Sequence, residues 1–313
     1  MMLPSKKILY ELISTKSRAP RFAFLPYKAA MWDCMEPLYL ECRKCGFIAD
    51  LIPLYYYTFP DRQIHIEADS FKKSGYDVNG IELLDSKSYD YLVIHYPYDG
   101  CNNVTKLLPN EYTAALKRYG KVVYIPYHGN IAGPEWSRFF TMPGAVESDY
   151  ICLGSQQDVD VFKMVNPSYS GLIIQTENTM KWEYAKNHAE DPVPEQYHDM
   201  NHPITLICGT LWTFTHDPIE RMQKHMDAIH KALDSGKFII YRPHPLVYEA
   251  IAVMQPRYLR MYEDFISDVK RIAYLDDSPF LHQSMAAADE LICDPSSVLK
   301  TWQGTGKPYE VIE

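Results

Sequence analysis

The chain has 313 residues, of which 47% are apolar and 23% charged, a balance that supplies substantial cores and excludes a disordered protein. Its formal charge of −9 excludes a general nucleic-acid binder, which needs clustered lysine and arginine, but not the capture of one nucleotide by a few local donors. The length fits one large domain or two of ordinary size.

Near the amino terminus, Leu3, Ile8, Leu9, Leu12 and Ile13 recur at helical spacing beside Lys6, Lys7 and Lys16, with Arg18 following. A basic amphipathic helix of this kind either lies on an anionic membrane surface or docks on the protein, and a stripe this short favours docking. Strand signals follow at Phe22 to Leu25, Ile48 to Leu54, Tyr91 to His95, Val122 to Ile125 and Tyr150 to Leu153. Helical segments are predicted from Asp33 to Cys45 and from Asn110 to Tyr119, each closed by glycine, and a tyrosine-rich loop runs through Tyr55, Tyr56 and Tyr57. Strands alternating with helices predict a parallel sheet.

From Lys186 to Pro203 the pattern dissolves into polar residues and proline, the composition of a linker. Its histidines, His188, His198 and His202, are too irregularly spaced to argue for a metal site. A second alternating unit begins with a strand at Ile204 to Cys208 that ends at Gly209-Thr210. Asp217-Pro218 then caps a helix whose buried stripe is predicted as Ile219, Met222, Met226, Ile229 and Leu233, closed by Gly236. Further strands are expected at Phe238 to Tyr241, Ile272 to Leu275 and Glu290 to Cys293. The expected architecture is therefore α/β, with two Rossmann-like parallel-sheet domains (residues 1–185 and 203–313, joined by a linker at 186–202) facing across a cleft.

Seven scattered cysteines do not make a secreted disulfide framework. Cys42 and Cys45 are spaced C-x-x-C, but they fall inside a predicted helix with no second pair, so no zinc or redox centre is read there. With no secretory signal and no run long enough to span a bilayer, the chain is expected in the cytoplasm.

Chemistry concentrates at predicted strand ends. Arg242-Pro243-His244-Pro245 presents a cation beside an imidazole on a loop stiffened by two prolines, which suits a pyrophosphate. Asp294-Pro295-Ser296-Ser297 opens a helix, where the serines serve either as caps or as phosphate donors. His128-Gly129-Asn130 follows the strand at Val122 to Ile125, placing an imidazole where a general base would sit. Gly304-Thr305-Gly306-Lys307 lacks the spacing of a phosphate loop, and Asp276-Asp277 reads as a capped turn before Ser278-Pro279.

Strand-Arg-Pro-His-Pro, then Asp-x-Ser-Ser, a helix and Gly306-Lys307-Pro308 together resemble the C-terminal lobe of the CDP-glycerol glycerophosphotransferases, teichoic-acid-type polymerases and primases of GT-B fold. His128-Gly129 and Ser148-Asp149-Tyr150 to Ser155 resemble that family's N-terminal catalytic segment. Phe24-Leu25-Pro26-Tyr27-Lys28-Ala29-Ala30-Met31-Trp32-Asp33, with Tyr96-Pro97-Tyr98-Asp99, resembles a bacterial branch of the same superfamily. The family's His-Gly-Thr-Pro-x-x-Lys is here His128-Gly129-Asn130-Ile131-Ala132-Gly133-Pro134, without the lysine.

The resemblance implies a metal-independent transferase that uses a CDP-linked donor as substrate and no cofactor. His128, Arg242 and His244 would be catalytic. Gly209, Thr210, Arg242, His244, Asp294, Ser296 and Ser297 would face the donor phosphates, and Gly129 and Asn130 the acceptor. Its partners would be a nucleotide-diphosphate donor and a polyol or glycan acceptor, lipid-linked or not, with no nucleic acid and with contact at the inner membrane surface left open. The alternatives are a nucleotide-sugar glycosyltransferase or UDP-sugar 2-epimerase on the same fold, and a non-catalytic nucleotide-binding protein.

Overall fold

The computed structural model describes residues 2–14, 16–128, 134–201 and 203–313, with backbone alone at 134–136. The chain divides into two compact units, residues 1–58 with 62–184, and residues 59–61 with 185–313.

In the first unit, β1 (Arg21–Phe24) and β2 (Ile48–Leu51) precede the short β3 (Tyr56–Thr58) and β4 (Ile64–His65), followed by β5 (Tyr91–Ile94), β6 (Thr105–Leu107), β7 (Lys121–Tyr124), β8 (Tyr150–Leu153) and β9 (Leu172–Gln175). Six of these form one sheet in the order β2-β1-β5-β7-β8-β9, every neighbouring pair parallel. Its central strands are apolar on both sides, as in Phe22, Ala23 and Phe24, because a parallel sheet is covered on both faces. The tyrosine-rich segment predicted as a loop instead supplies β3, the middle of an antiparallel sheet ordered β4-β3-β6. The helix predicted from Asn110 to Tyr119 is reduced to the single turns Pro109–Glu111 and Thr113–Leu116.

The amino-terminal helix, Pro4–Ile13, docks its apolar stripe inside the first unit, where Ile8 and Leu12 are buried. The Ser5 amide and hydroxyl both donate to Glu183, at 2.8 and 2.5 Å. The face that a membrane would need is thus already used. No helix among the described residues is long and apolar enough to cross a membrane.

The second unit contains β10 (Ile204–Cys208), β11 (Phe238–Arg242), β12 (Tyr274–Leu275), β13 (Glu290–Cys293) and β14 (Tyr309–Val311), all parallel in the order β12-β11-β10-β13-β14. The segment read as a linker belongs to this unit. Tyr197 is buried in its core beside Ala185, Ile204 and Leu206, and Met200 joins them. Composition missed this because a few well-placed apolar residues anchor an otherwise polar stretch.

The helix Pro218–Asp234 has the predicted cap, the Asp217 carboxylate accepting from the Glu220 amide. Its buried face is rotated from the predicted stripe: Ile219 is 52% exposed, whereas His225 is fully buried. A buried polar partner, Asp294, draws the histidine in.

Strand order reverses between β1 and β5 in the first sheet and between β10 and β13 in the second. Ligands of open α/β sheets bind beyond the carboxyl ends of strands at such reversals.

Glu111 in the first unit is buried and accepts the Tyr55 amide at 2.8 Å. Burial raises its pKa to about 7, against the opposing pull of that hydrogen bond. The native carboxyl keeps a proton that the unfolded chain releases above its ordinary value, so this group's stabilisation declines as pH rises towards 7. Glu111→Gln, which retains the acceptor oxygen, is expected to flatten the pH dependence of the first unit's melting midpoint between about pH 5 and 7. An unchanged slope in a pH-resolved thermal melt would show that another group titrates.

Candidate functional site

At the reversal in the second sheet, Asp294 follows β13 with its side chain fully buried. Its Oδ2 accepts the Thr210 amide at 2.7 Å and the Thr213 hydroxyl at 2.8 Å. Oδ1 accepts Arg221 Nη1 at 2.8 Å and His225 Nε2 at 3.2 Å. Burial pushes this carboxyl's pKa up, but the bond and charge of His225, with the Thr210 and Thr213 donors, hold it below the ordinary value. Asp294 thereby fixes the loop after β10 against the helix Pro218–Asp234. Gly209 lies in that loop because a Cβ there would come within 2.8 Å of the Phe214 ring and 3.3 Å of His225.

Beside it, register pairs Tyr241 with Leu275, so the next residues, Arg242 and Asp276, leave neighbouring strands side by side. Arg242 Nη1 donates to Asp276 at 2.6 Å and to the Ser278 hydroxyl at 3.0 Å, with both charged groups buried. Asp276 also accepts the Ser278 amide at 2.9 Å and the Ser284 hydroxyl. Burial opposes ionisation of Asp276, but the Arg242 charge and the serine donors outweigh it and lower the pKa. Asp276 is thus the capped turn expected from sequence, and it also balances the charge that sequence reasoning assigned to the ligand. Arg242 is first a loop-holding cation, because a desolvated guanidinium needs a carboxylate partner.

His244, between the two prolines, accepts the Leu246 amide on Nδ1 at 3.1 Å. The proton of the neutral ring is therefore assigned to Nε2. Ser296 occupies the cap position of the helix Ser297–Trp302 yet forms no cap bond, and its buried hydroxyl has no partner among the described residues. Capping does not explain this serine. Ser297 begins the helix beside it. Lys307 turns inward, donating from Nζ to the Met285 and Ala288 carbonyls at 2.9 and 2.7 Å, which closes the helix Leu281–Ala287.

In the first unit, His128 follows β7, half-buried, its Nε2 3.4 Å from the Tyr124 hydroxyl and its ring 4.9 Å from that of Phe139. Gly129 and Asn130 lie outside the described residues. The β1/β5 reversal instead gathers residues to which sequence reasoning gave no role. His95 is fully buried after β5, stacked on Tyr27, with Nε2 accepting the Tyr27 amide at 3.3 Å. Burial, then the Lys181 charge, lowers its pKa to about 3, so the ring is neutral with Nδ1 protonated. That nitrogen has no partner among the described residues.

Lys28 pairs with Glu67 at 2.7 Å and reaches the Tyr56 hydroxyl at 3.0 Å, and buried Lys181 pairs with buried Asp33 at 2.5 Å. The segments Tyr27 to Asp33 and Tyr96 to Asp99, singled out by resemblance, flank this cluster. His95 itself was legible as an imidazole ending an apolar strand. In the second unit Arg221, Thr213 and His225 left no comparable trace, because helical and loop residues meet Asp294 only in the fold.

No family model and no curated protein matches the sequence. Solved structures do. The Methanocaldococcus jannaschii UDP-GlcNAc 2-epimerase, in complex with UDP-GlcNAc and UDP, aligns at a TM-score of 0.59 and 10% identity, over 93% of this chain and 83% of that one. The S. aureus MnaA–UDP structure gives 0.58 and 12% identity, over 94% and 79%. The wall teichoic acid polymerase TagF gives 0.54 and 12% identity, over 97% and 73%. The fold is GT-B. At these identities the likeness concerns the fold, and the chemistry must be argued from the side chains.

Asp294→Ala strands Arg221 and His225 without their carboxylate, an expected cost of about 3–5 kcal/mol in urea unfolding of the second unit. Because the native pKa of Asp294 is depressed, its stabilisation is present above the unfolded carboxyl value and lost as pH falls through the native one. The variant is accordingly expected to show a weaker acid dependence below about pH 4 than the parent.

Proposed function

We propose that this chain transfers glycerol phosphate, or a related alditol phosphate, from a CDP-linked donor to an acceptor hydroxyl in the synthesis of a cell-surface polymer. The observation that carries the donor site is the Ser296 hydroxyl, buried and unpartnered at the β10/β13 reversal. A phosphate oxygen offers the acceptor that this hydroxyl lacks. Gly209 and Thr210, held by Asp294, form the opposite side of the reversal, and Ser297 adds a second hydroxyl. His244 stands on the loop that Arg242 positions through Asp276. The sequence motifs of the second unit and the fold shared with the polymerase support the choice of reaction.

In that reaction the acceptor oxygen forms a bond to the phosphorus bearing the alditol, the bond from that phosphorus to the CMP oxygen breaks, and CMP leaves with the electron pair. His128 takes the hydroxyl proton. His95 is not suited to that role, because its Nε2 lone pair is engaged by Tyr27 and its other nitrogen carries a proton. Positioning and protein donors carry the charge, so the proposed step uses no metal.

A second reading, a nucleotide-sugar enzyme on the same fold, is supported by the fold shared with the UDP-GlcNAc 2-epimerase. Thermal shift with CDP-glycerol, CDP-ribitol, CMP, UDP and UDP-GlcNAc separates the two. Cytidine ligands are expected to raise the melting midpoint, with Ser296→Ala weakening binding about tenfold or more. A uridine preference would replace the phosphotransferase with the sugar-nucleotide reading, and silence to all five would remove the donor site.

His128→Ala is expected to lower turnover by about a hundredfold or more while leaving donor binding intact. Normal turnover in that variant would reject His128 as the base.

A further inference from the structure

We infer that His188, Asp191 and His282 form a binding site for a divalent transition-metal ion of the zinc class, independent of the nucleotide site. All three lie in the second unit. His188 and Asp191 are joined by a turn just beyond the helix Met180–Asn187, the Asp191 amide donating to the His188 carbonyl. His282 comes from the first turn of the helix Leu281–Ala287, after β12. One ligand atom from each lies within 4.8 Å of the other two, and all three side chains are half-buried. His188 Nδ1 and Asp191 Oδ2 are 2.5 Å apart, and the two imidazoles lie nearly parallel with centroids 4.2 Å apart.

An ion pair three residues apart is ordinary and accounts for His188 with Asp191. It does not account for a second imidazole stacked on the first at the same carboxylate. Two imidazoles and one carboxylate are the donor set of borderline ions such as zinc or cobalt, whereas calcium and magnesium prefer oxygen ligands. Tetrahedral zinc, with bonds of about 2.0–2.2 Å, holds its ligands roughly 3.3 Å apart, so modest side-chain rotations would bring this cluster into place. Three protein ligands leave the fourth position to water. The bound ion would tie residues 188–191, in a polar stretch with few apolar anchors, to the helix that follows β12.

The test uses the full chain with no affinity tag, stripped with a chelator and dialysed against Zn²⁺ or Co²⁺. Expected are a single retained equivalent, a raised melting midpoint, and visible ligand-field absorption from Co²⁺. His282→Ala and Asp191→Asn should each weaken metal binding by about a hundredfold or more while leaving far-ultraviolet circular dichroism unchanged. Should either half-buried substitution disturb folding, the wild-type Co²⁺ spectrum still decides. Absent ligand-field bands, bands undiminished in both variants, or sulfur-to-cobalt charge transfer from the exposed Cys45 or Cys101 would overturn the site.

Discussion

Asp294 is a fully buried carboxylate, and the loops that follow β10 and β13 are arranged around satisfying it. A buried charge without partners costs several kcal/mol, so the surrounding chain must deliver donors to it. Thr210 and Thr213 come from the loop and helix after β10, and Arg221 and His225 from the helix behind them. Each bond constrains a different element. This explains why His225 is buried in place of Ile219, and why a glycine is required at 209. One carboxylate thus ties together the elements around the reversal between β10 and β13.

The neighbouring strand ends use the same device. Arg242 and Asp276 neutralise each other in a dry site, and their serine partners hold the turn. Residues that attract attention as charged therefore serve architecture, while the buried Ser296 hydroxyl has no partner among the described residues. This division is physically reasonable. A polar group already committed to a buried ion pair has little to offer a phosphate, whereas an unpaired buried hydroxyl gains a full hydrogen bond. The first unit shows the pattern again, with Lys28–Glu67 and Lys181–Asp33 as pairs and a neutral His95 presenting Nδ1.

Much of the fold was legible because the central strands of a parallel sheet are short apolar runs and their helices carry caps and terminal glycines. The runs at Tyr91, Val122, Ile204 and Phe238, and the helix from Asp217-Pro218 to Gly236, are examples. The segments that escaped were those whose state depends on a partner. Tyr56 to Thr58 becomes a strand only because β4 and β6 pair with it. Residues 186–201 carry a linker's composition, yet Tyr197 and Met200 find a core to enter.

The sequence by itself determined the fold class, the alternation of strands and helices, and the polar loops that follow the strands, where Arg242, His244, Asp294, Ser296 and Ser297 stand. Those features are local, written in periodicity, caps and turn residues. Only the tertiary structure decided which partners these residues meet. It alone brought His225 to Asp294, Asp276 to Arg242, and His282 to His188 and Asp191. Hydrogen bonds and ligand geometry act over a few ångströms, and residues far apart in sequence reach that range only when strand order and helix packing place them there.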